Sequence, residues 1–110
     1  MKRSITPSEL AKRLETGGAP LILDVRRTED AQADPSQVPG AERRDPTEAE
    51  VWAAELPPDR EVVIYCKHGR SISNTVLETL QARGVNACFI EGGLTAWNEA
   101  ADDKPHVEKS

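Results

Sequence analysis

A chain of 110 residues, 37% hydrophobic and 30% charged, carries enough clustered apolar material for one compact soluble domain around one modest core. Its formal net charge of −5 excludes the broad basic face of a general nucleic-acid binder, though not a local basic loop that holds a small anion. No run approaches the ~20 apolar residues of a membrane span, and no apolar stretch follows the basic start as a secretory leader would, so a cytoplasmic protein without membrane contact is expected.

In chain order, Thr6-Pro7-Ser8-Glu9 predicts a helix start: Thr6 caps, Pro7 fits the first turn and Glu9 closes a capping box. Leu10, Ala11 and Leu14 then line one face, and Gly17-Gly18 stops the helix. Leu21-Ile22-Leu23-Asp24-Val25 lacks polar alternation and reads as a strand covered on both faces. The polar stretch from Arg26 to Ala41 reads as a loop with at most a short helix near Thr28–Ala33. Pro46 to Glu50 predicts another helix start, with Thr47 as cap and Glu50 closing its box; Val51, Trp52 and Leu56 would face inward, and Pro57-Pro58-Asp59 ends it.

Val62-Val63-Ile64-Tyr65 is the clearest strand, β-branched and apolar. It runs into Cys66-Lys67-His68-Gly69-Arg70-Ser71, after which a helix carries Ile72, Val76, Leu77 and Leu80 on one stripe and ends at Gly84. Ala87-Cys88-Phe89-Ile90 forms a further strand, Glu91-Gly92-Gly93 turns into a last helix bearing Leu94 and Trp97, and residues 101–110 make a frayed tail. Strands separated by helices imply parallel pairing, and ligands of such sheets gather beyond the strands' carboxyl ends. Cys66 falls there.

That position carries chemistry. The loop amides between Lys67 and Ser71 can converge on the sulfur, the positive end of the next helix points the same way, and Lys67 and Arg70 add fixed charge. Each favours thiolate, the nucleophilic form, over thiol. Gly69 permits a backbone path that a side chain would resist. His68 can serve as a base or face solvent, and Ser71 can donate to a persulfide or cap the helix. The same cradle suits an anionic sulfur donor, with covalent catalysis in two half-reactions. Cys88, mid-strand, reads as core packing, with a resolving thiol as its functional alternative. His68 and His106 are isolated and the cysteines form no CxxC pair, so no metal site is expected, and in a reducing compartment both cysteines are expected as thiols.

Four stretches resemble the rhodanese family. Cys66 to Ser71 looks like its six-residue active loop, Leu23-Asp24-Val25-Arg26 resembles its first-strand motif, Val38-Pro39-Gly40-Ala41 its second, and Glu91-Gly92-Gly93-Leu94-Thr95-Ala96-Trp97 its closing motif. The resemblance covers residues 5–100 and implies an α/β three-layer fold, a central parallel five-stranded sheet flanked by helices on both faces. It also implies a Cys66 persulfide and no metal or organic cofactor. The sulfur would come from a small anionic donor, and the acceptor would be cyanide, a thiol or a protein cysteine. Basic Lys67 and Arg70 favour thiosulfate as donor. Asp24 and Arg26 could bind substrate, but are expected instead to brace the loop as a charge pair or through hydrogen bonds; Arg43-Arg44 reads as a surface feature, with a positive rim near the pocket as its functional alternative. Asp24 to Arg27, with Arg43 to Pro46, is also similar to rhodanese domains associated with chromate resistance. Gln37 stands where many members have histidine, and Ala31 where an aromatic is common.

Rival readings are a sulfur-relay or non-enzymatic binding module acting on a partner protein, and a related phosphatase or arsenate reductase. Binding modules of this kind often lack the cysteine, which is present here. The phosphatase needs a longer loop, with a clamping arginine where this chain has Ile72; Arg70 comes too early for it.

Overall fold

The computed structural model describes residues 4–15, 20–56, 59–67 and 71–102. The strands are β1 (Ser4–Ile5), β2 (Leu21–Asp24), β3 (Glu42–Arg43), β4 (Val62–Tyr65) and β5 (Ala87–Ile90). They pair in one sheet of order β1-β5-β4-β2-β3, every pair parallel. The helices are α1 (Pro7–Glu15), α2 (Thr28–Ala33), α3 (Ala49–Ala53), α4 (Ser71–Ala82) and α5 (Gly93–Asp102).

The strands are apolar on both sides because both sides are covered. Leu23, Val25, Val62, Ile64 and Ala87 pack with Ala49, Trp52 and Ala53 of α3 and Val76, Leu77 and Leu80 of α4. The alternate residues Ile22, Val63, Tyr65, Cys88 and Ile90 pack with Leu10 of α1 and Leu94 of α5. The period of two thus assigns each strand residue to one of two cores. Cys88 is a buried member of the second core, 6% exposed.

Local signals explain several boundaries. At α1 the Glu9 N–H donates to Thr6 Oγ1 (3.1 Å) and the Thr6 N–H to Glu9 Oε1 (3.0 Å), a complete capping box. At the end of α4, Gly84 takes φ +82°; its N–H donates to the Gln81 carbonyl (3.0 Å) and the Val85 N–H to that of Leu80 (3.0 Å). That is the paired closure which favours glycine after a helix.

Other expectations are corrected. The two-residue strands β1 and β3 carry no periodicity of their own and exist because β5 and β2 offer backbone partners. Asp45, not Thr47, caps the segment before α3: its Oδ1 accepts from the Thr47 N–H (2.9 Å) and hydroxyl (2.7 Å). Pro46 has no N–H to offer, and the short Asp45 side chain reaches past it. A 3₁₀ turn over Pro46–Glu48 follows, Glu50 closes no box, and the shifted register leaves Val51 outward and 66% exposed. Ala101 and Asp102, expected in the tail, close α5. The Gly17-Gly18 stop, Pro57-Pro58 and residues 103–110 lie outside the described residues. α2, where Ala31 replaces an aromatic, buries no residue.

Candidate active site

β2 leads outward to β3, whereas β4 leads the other way to β5, so the sheet's switch point lies between β2 and β4. Crevices open at the carboxyl ends of strands flanking such a point. Arg26 and Arg27 follow β2, and Cys66 and Lys67 follow β4. Register joins the two edges: Asp24 pairs with Tyr65, and the Val25 N–H donates to the Tyr65 carbonyl (2.9 Å).

Cys66 is buried, 5% exposed, and Lys67 is exposed. The first turn of α5 reaches back to both. The Leu94 N–H donates to the Cys66 carbonyl (2.9 Å) and the Thr95 N–H to the Lys67 carbonyl (3.0 Å). A helix cannot satisfy its own first amides, so α5 spends two of them on the strand exit beside the cysteine. In a trans peptide the C=O and N–H point opposite ways, which turns the Lys67 amide away from α5. The turn that aims α5 depends on Gly92 (φ +76°), where an added Cβ would lie 2.5 Å from Ala96 Cβ. These bonds give the closing Glu91–Trp97 stretch a mechanical role that its composition does not reveal. Ser71 opens α4; its side chain and residues His68, Gly69 and Arg70 lie outside the described residues.

Asp24 and Arg26 form a buried ion pair, 0% and 2% exposed, with Arg26 Nη2 2.8 Å from Asp24 Oδ2. Arg26 Nε donates to both carboxylate oxygens (3.0 and 3.1 Å), Nη1 to the Asp34 carbonyl (2.8 Å) and Nη2 to the Ser36 carbonyl (3.1 Å). The pair therefore ties the 34–37 stretch to the end of β2. Gln37, in the place where a histidine is common, donates to Asp24 Oδ2 (3.4 Å). Tyr65 Oη accepts from the Val38 N–H (3.3 Å). Burial pushes the Asp24 carboxyl up, but hydrogen bonds and charge from Arg26, with help from Gln37, outweigh it and hold it below the usual carboxylate range. Burial and the Asp24 charge push the Tyr65 phenol up to about 12. Hydrogen bonds from Ser36 hold the Asp34 carboxyl below the usual carboxylate range, with smaller help from the charges of Arg26 and Lys67.

On the α3/α4 side a cleft of about 350 Å³ is lined by Arg27, Pro46, Thr47, Ile72, Thr75 and Val76. Sequence reading missed it, because its walls come from three separate segments. Arg43 and Arg44 are partly used elsewhere: Arg44 pairs with Glu42 (2.7 Å), and Arg43 donates to the Arg44 carbonyl (2.9 Å). Ser73, fully buried in the first turn of α4, has a hydroxyl without a hydrogen-bond partner among the described residues. Among the described residues, no group of three or more His, Cys, Asp or Glu side chains could hold a metal ion.

This fold agrees with what the chain is similar to. A family model for the rhodanese-like domain matches residues 6–100. The chain belongs to that family, a sulfurtransferase superfamily. A probable adenylyltransferase/sulfurtransferase of Mycobacterium tuberculosis, MoeZ, is 30% identical over 96 residues, covering 86% of this chain and 24% of that protein. The chain thus spans about a quarter of the length of that curated relative. A rhodanese-like domain protein from Staphylococcus aureus superposes with TM-score 0.77 at 29% identity, covering 87% of this chain and 91% of that one. A rhodanese-related protein from Thermoplasma volcanium gives TM-score 0.76 at 25% identity, covering 90% and 93%. No described helix is long and apolar enough to cross a membrane.

Proposed function

We propose that this chain moves a sulfane sulfur from thiosulfate, or a similar small anionic donor, to cyanide or a thiol through a persulfide on Cys66. The carrying observation is the placement of Cys66: first residue beyond the central strand β4, with its carbonyl and that of Lys67 held by the amides of α5. In the first half-reaction the Cys66 thiolate attacks the outer sulfur of thiosulfate. A new S–S bond forms, the old one breaks, and sulfite departs with the electron pair. In the second, the acceptor attacks the outer persulfide sulfur and Cys66 leaves as thiolate.

In this reading Lys67 and Arg70 draw in the anionic donor, Gly69 and the amides of the 67–71 stretch surround the outer sulfur, and His68 and Ser71 complete the loop. Asp24 and Arg26 support it from beneath as positioning residues. No redox cofactor is needed, since electrons are conserved within each S–S exchange. The chemistry suits a reducing compartment such as the cytoplasm, where both cysteines stay thiols.

The test is a mass spectrum after incubation with thiosulfate. The chain gains one sulfur, about 32 Da, located on Cys66, as a covalent intermediate requires. Cys66→Ser abolishes both the adduct and thiocyanate formation, a loss of at least ~10³-fold, while Cys88→Ser retains most activity. Failure to load Cys66 from thiosulfate or any other sulfane donor would end the proposal.

A further inference from the structure

The segment between β2 and β3 passes back over the carboxyl edge of the sheet. Asp24 and Tyr65 form the last paired rung, so Val25 and Arg26 continue level with Cys66 and Lys67 across the switch point. Arg26 is buried, and its Nη1 holds the Asp34 carbonyl (2.8 Å), which sets Asp34 on that same edge. The Asp34 carboxylate is fixed there. Its Oδ1 accepts from the Ser36 N–H (3.1 Å) and hydroxyl (2.7 Å). Ser36 is held in turn, its carbonyl by Arg26 Nη2 (3.1 Å) and its Oγ by Asn98 Nδ2 of α5 (3.4 Å). Asp34 is exposed and makes no ion pair among the described residues.

Local structure does not account for a charge at this position. No residue from Arg27 to Gln37 is buried, so Asp34 packs against no core. The turn it makes with Ser36 needs only a side-chain oxygen, which asparagine supplies equally well. Arg26 takes the backbone carbonyl, which every residue has. What aspartate adds is its negative charge, rigidly held near the exposed Lys67. The Lys67 ammonium helps to lower the Asp34 carboxyl. Such an interaction is mutual, so the carboxylate offsets part of the positive charge that an incoming anion meets beside Cys66.

We propose that Asp34 is a specificity-determining residue of the donor half-reaction: its fixed carboxylate, across the switch point from Cys66 and Lys67, weakens the pull on a dianionic sulfur donor and favours donors of lower charge. The inference rests on the persulfide reading of Cys66 and adds the basis on which donors are sorted. Asp34 touches neither the sulfur nor the loop; it acts through the field at the mouth of the site. The chemistry is the same for either charge class. The Cys66 thiolate bonds to the outer sulfur of the donor, the donor's own S–S bond breaks, and sulfite or a sulfinate leaves with the electron pair. No oxidant or reductant is consumed.

The experiment compares thiosulfate, a dianion, with methanethiosulfonate, a monoanion, as donors with cyanide as acceptor. In ping-pong turnover, kcat/KM for the donor reports the donor half-reaction alone. At low ionic strength Asp34→Asn raises the thiosulfate-to-methanethiosulfonate ratio of kcat/KM about two- to threefold, carried by KM, the effect of one unit charge on another roughly 7 Å away in water. The rise disappears in about 1 M salt, where the screening length is ~3 Å. Asp34→Glu, which keeps the charge, keeps the wild-type ratio. A ratio unmoved by Asp34→Asn at low salt overturns the inference. So does a rise that survives high salt or that Asp34→Glu reproduces, since either marks a loosened segment rather than a lost charge. Sulfur loading of Cys66 is read by mass in the same samples. If neither donor loads it, the persulfide reading fails and this inference with it; if both load it and the ratio does not move, only the role of Asp34 falls.

Discussion

On the α1/α5 side of the sheet's carboxyl edge, charge is buried and spent; on the α3/α4 side it stands open above hydrocarbon. Arg26 and Arg27 are neighbours of identical chemistry, yet one is 2% exposed and pinned to Asp24 while the other faces solvent over the cleft. The difference comes from the pleat, which sends successive residues to opposite faces. One face supplies a rigid polar footing of Asp24, Arg26, Tyr65 and Gln37. The other supplies room. A site that must hold a sulfur firmly and still admit a partner needs both.

The contrast is broken most strongly by removing one arginine at a time. Arg26→Ala leaves the Asp24 charge buried without its partner and is expected to cost about 3–5 kcal/mol, whereas Arg27→Ala stays within about 0.5 kcal/mol. Urea unfolding of the two variants measures this, and equal effects would erase the distinction between the faces.

Tyr65 reports on the footing alone, because it is the chain's one tyrosine. Phenolate absorbance should titrate near pH 12 rather than near 10. The phenol is raised in the folded state, so its contribution to stability is complete below pH ~10 and is lost as pH climbs toward the folded value. Tyr65→Phe removes that alkaline loss; a midpoint near 10 would mean the footing is wet.

Asp24 gives the acid counterpart. Its carboxyl is depressed on folding, so its contribution is complete above the ordinary carboxylate value of about 4 and drains away as pH falls through the lowered folded value. Stability measured below pH ~4 should fall less steeply with acid in Asp24→Asn than in the wild type. The smallest expected effect lies on the other face. Ser73→Ala removes a buried hydroxyl that makes no hydrogen bond among the described residues, and is expected to be neutral or to stabilise by up to about 1 kcal/mol. A loss of more than that would show the hydroxyl has a partner in solution.

Much of the frame was legible without coordinates. The apolar runs at Leu21–Val25, Val62–Tyr65 and Ala87–Ile90 marked the three central strands, and the Thr6/Glu9 box and Gly84 marked helix ends, because each signal spans only a few residues. The Thr28–Ala33 helix was also readable from local composition. The cap at Asp45 was missed because two capping residues, Asp45 and Thr47, flank Pro46 there, and only the backbone path decides which one caps.

By itself, then, the chain's order of residues determined the three central buried strands, the start of α1 and the end of α4, and that a cysteine follows the central strand. Those properties follow from local propensity and periodicity. Tertiary structure decided the rest: the edge strands β1 and β3, the α5 amides on the Cys66 and Lys67 carbonyls, the opposite fates of Arg26 and Arg27, and the cleft between the 3₁₀ turn and α4. Each joins segments distant in the chain, and a contact of that kind is set by register and packing.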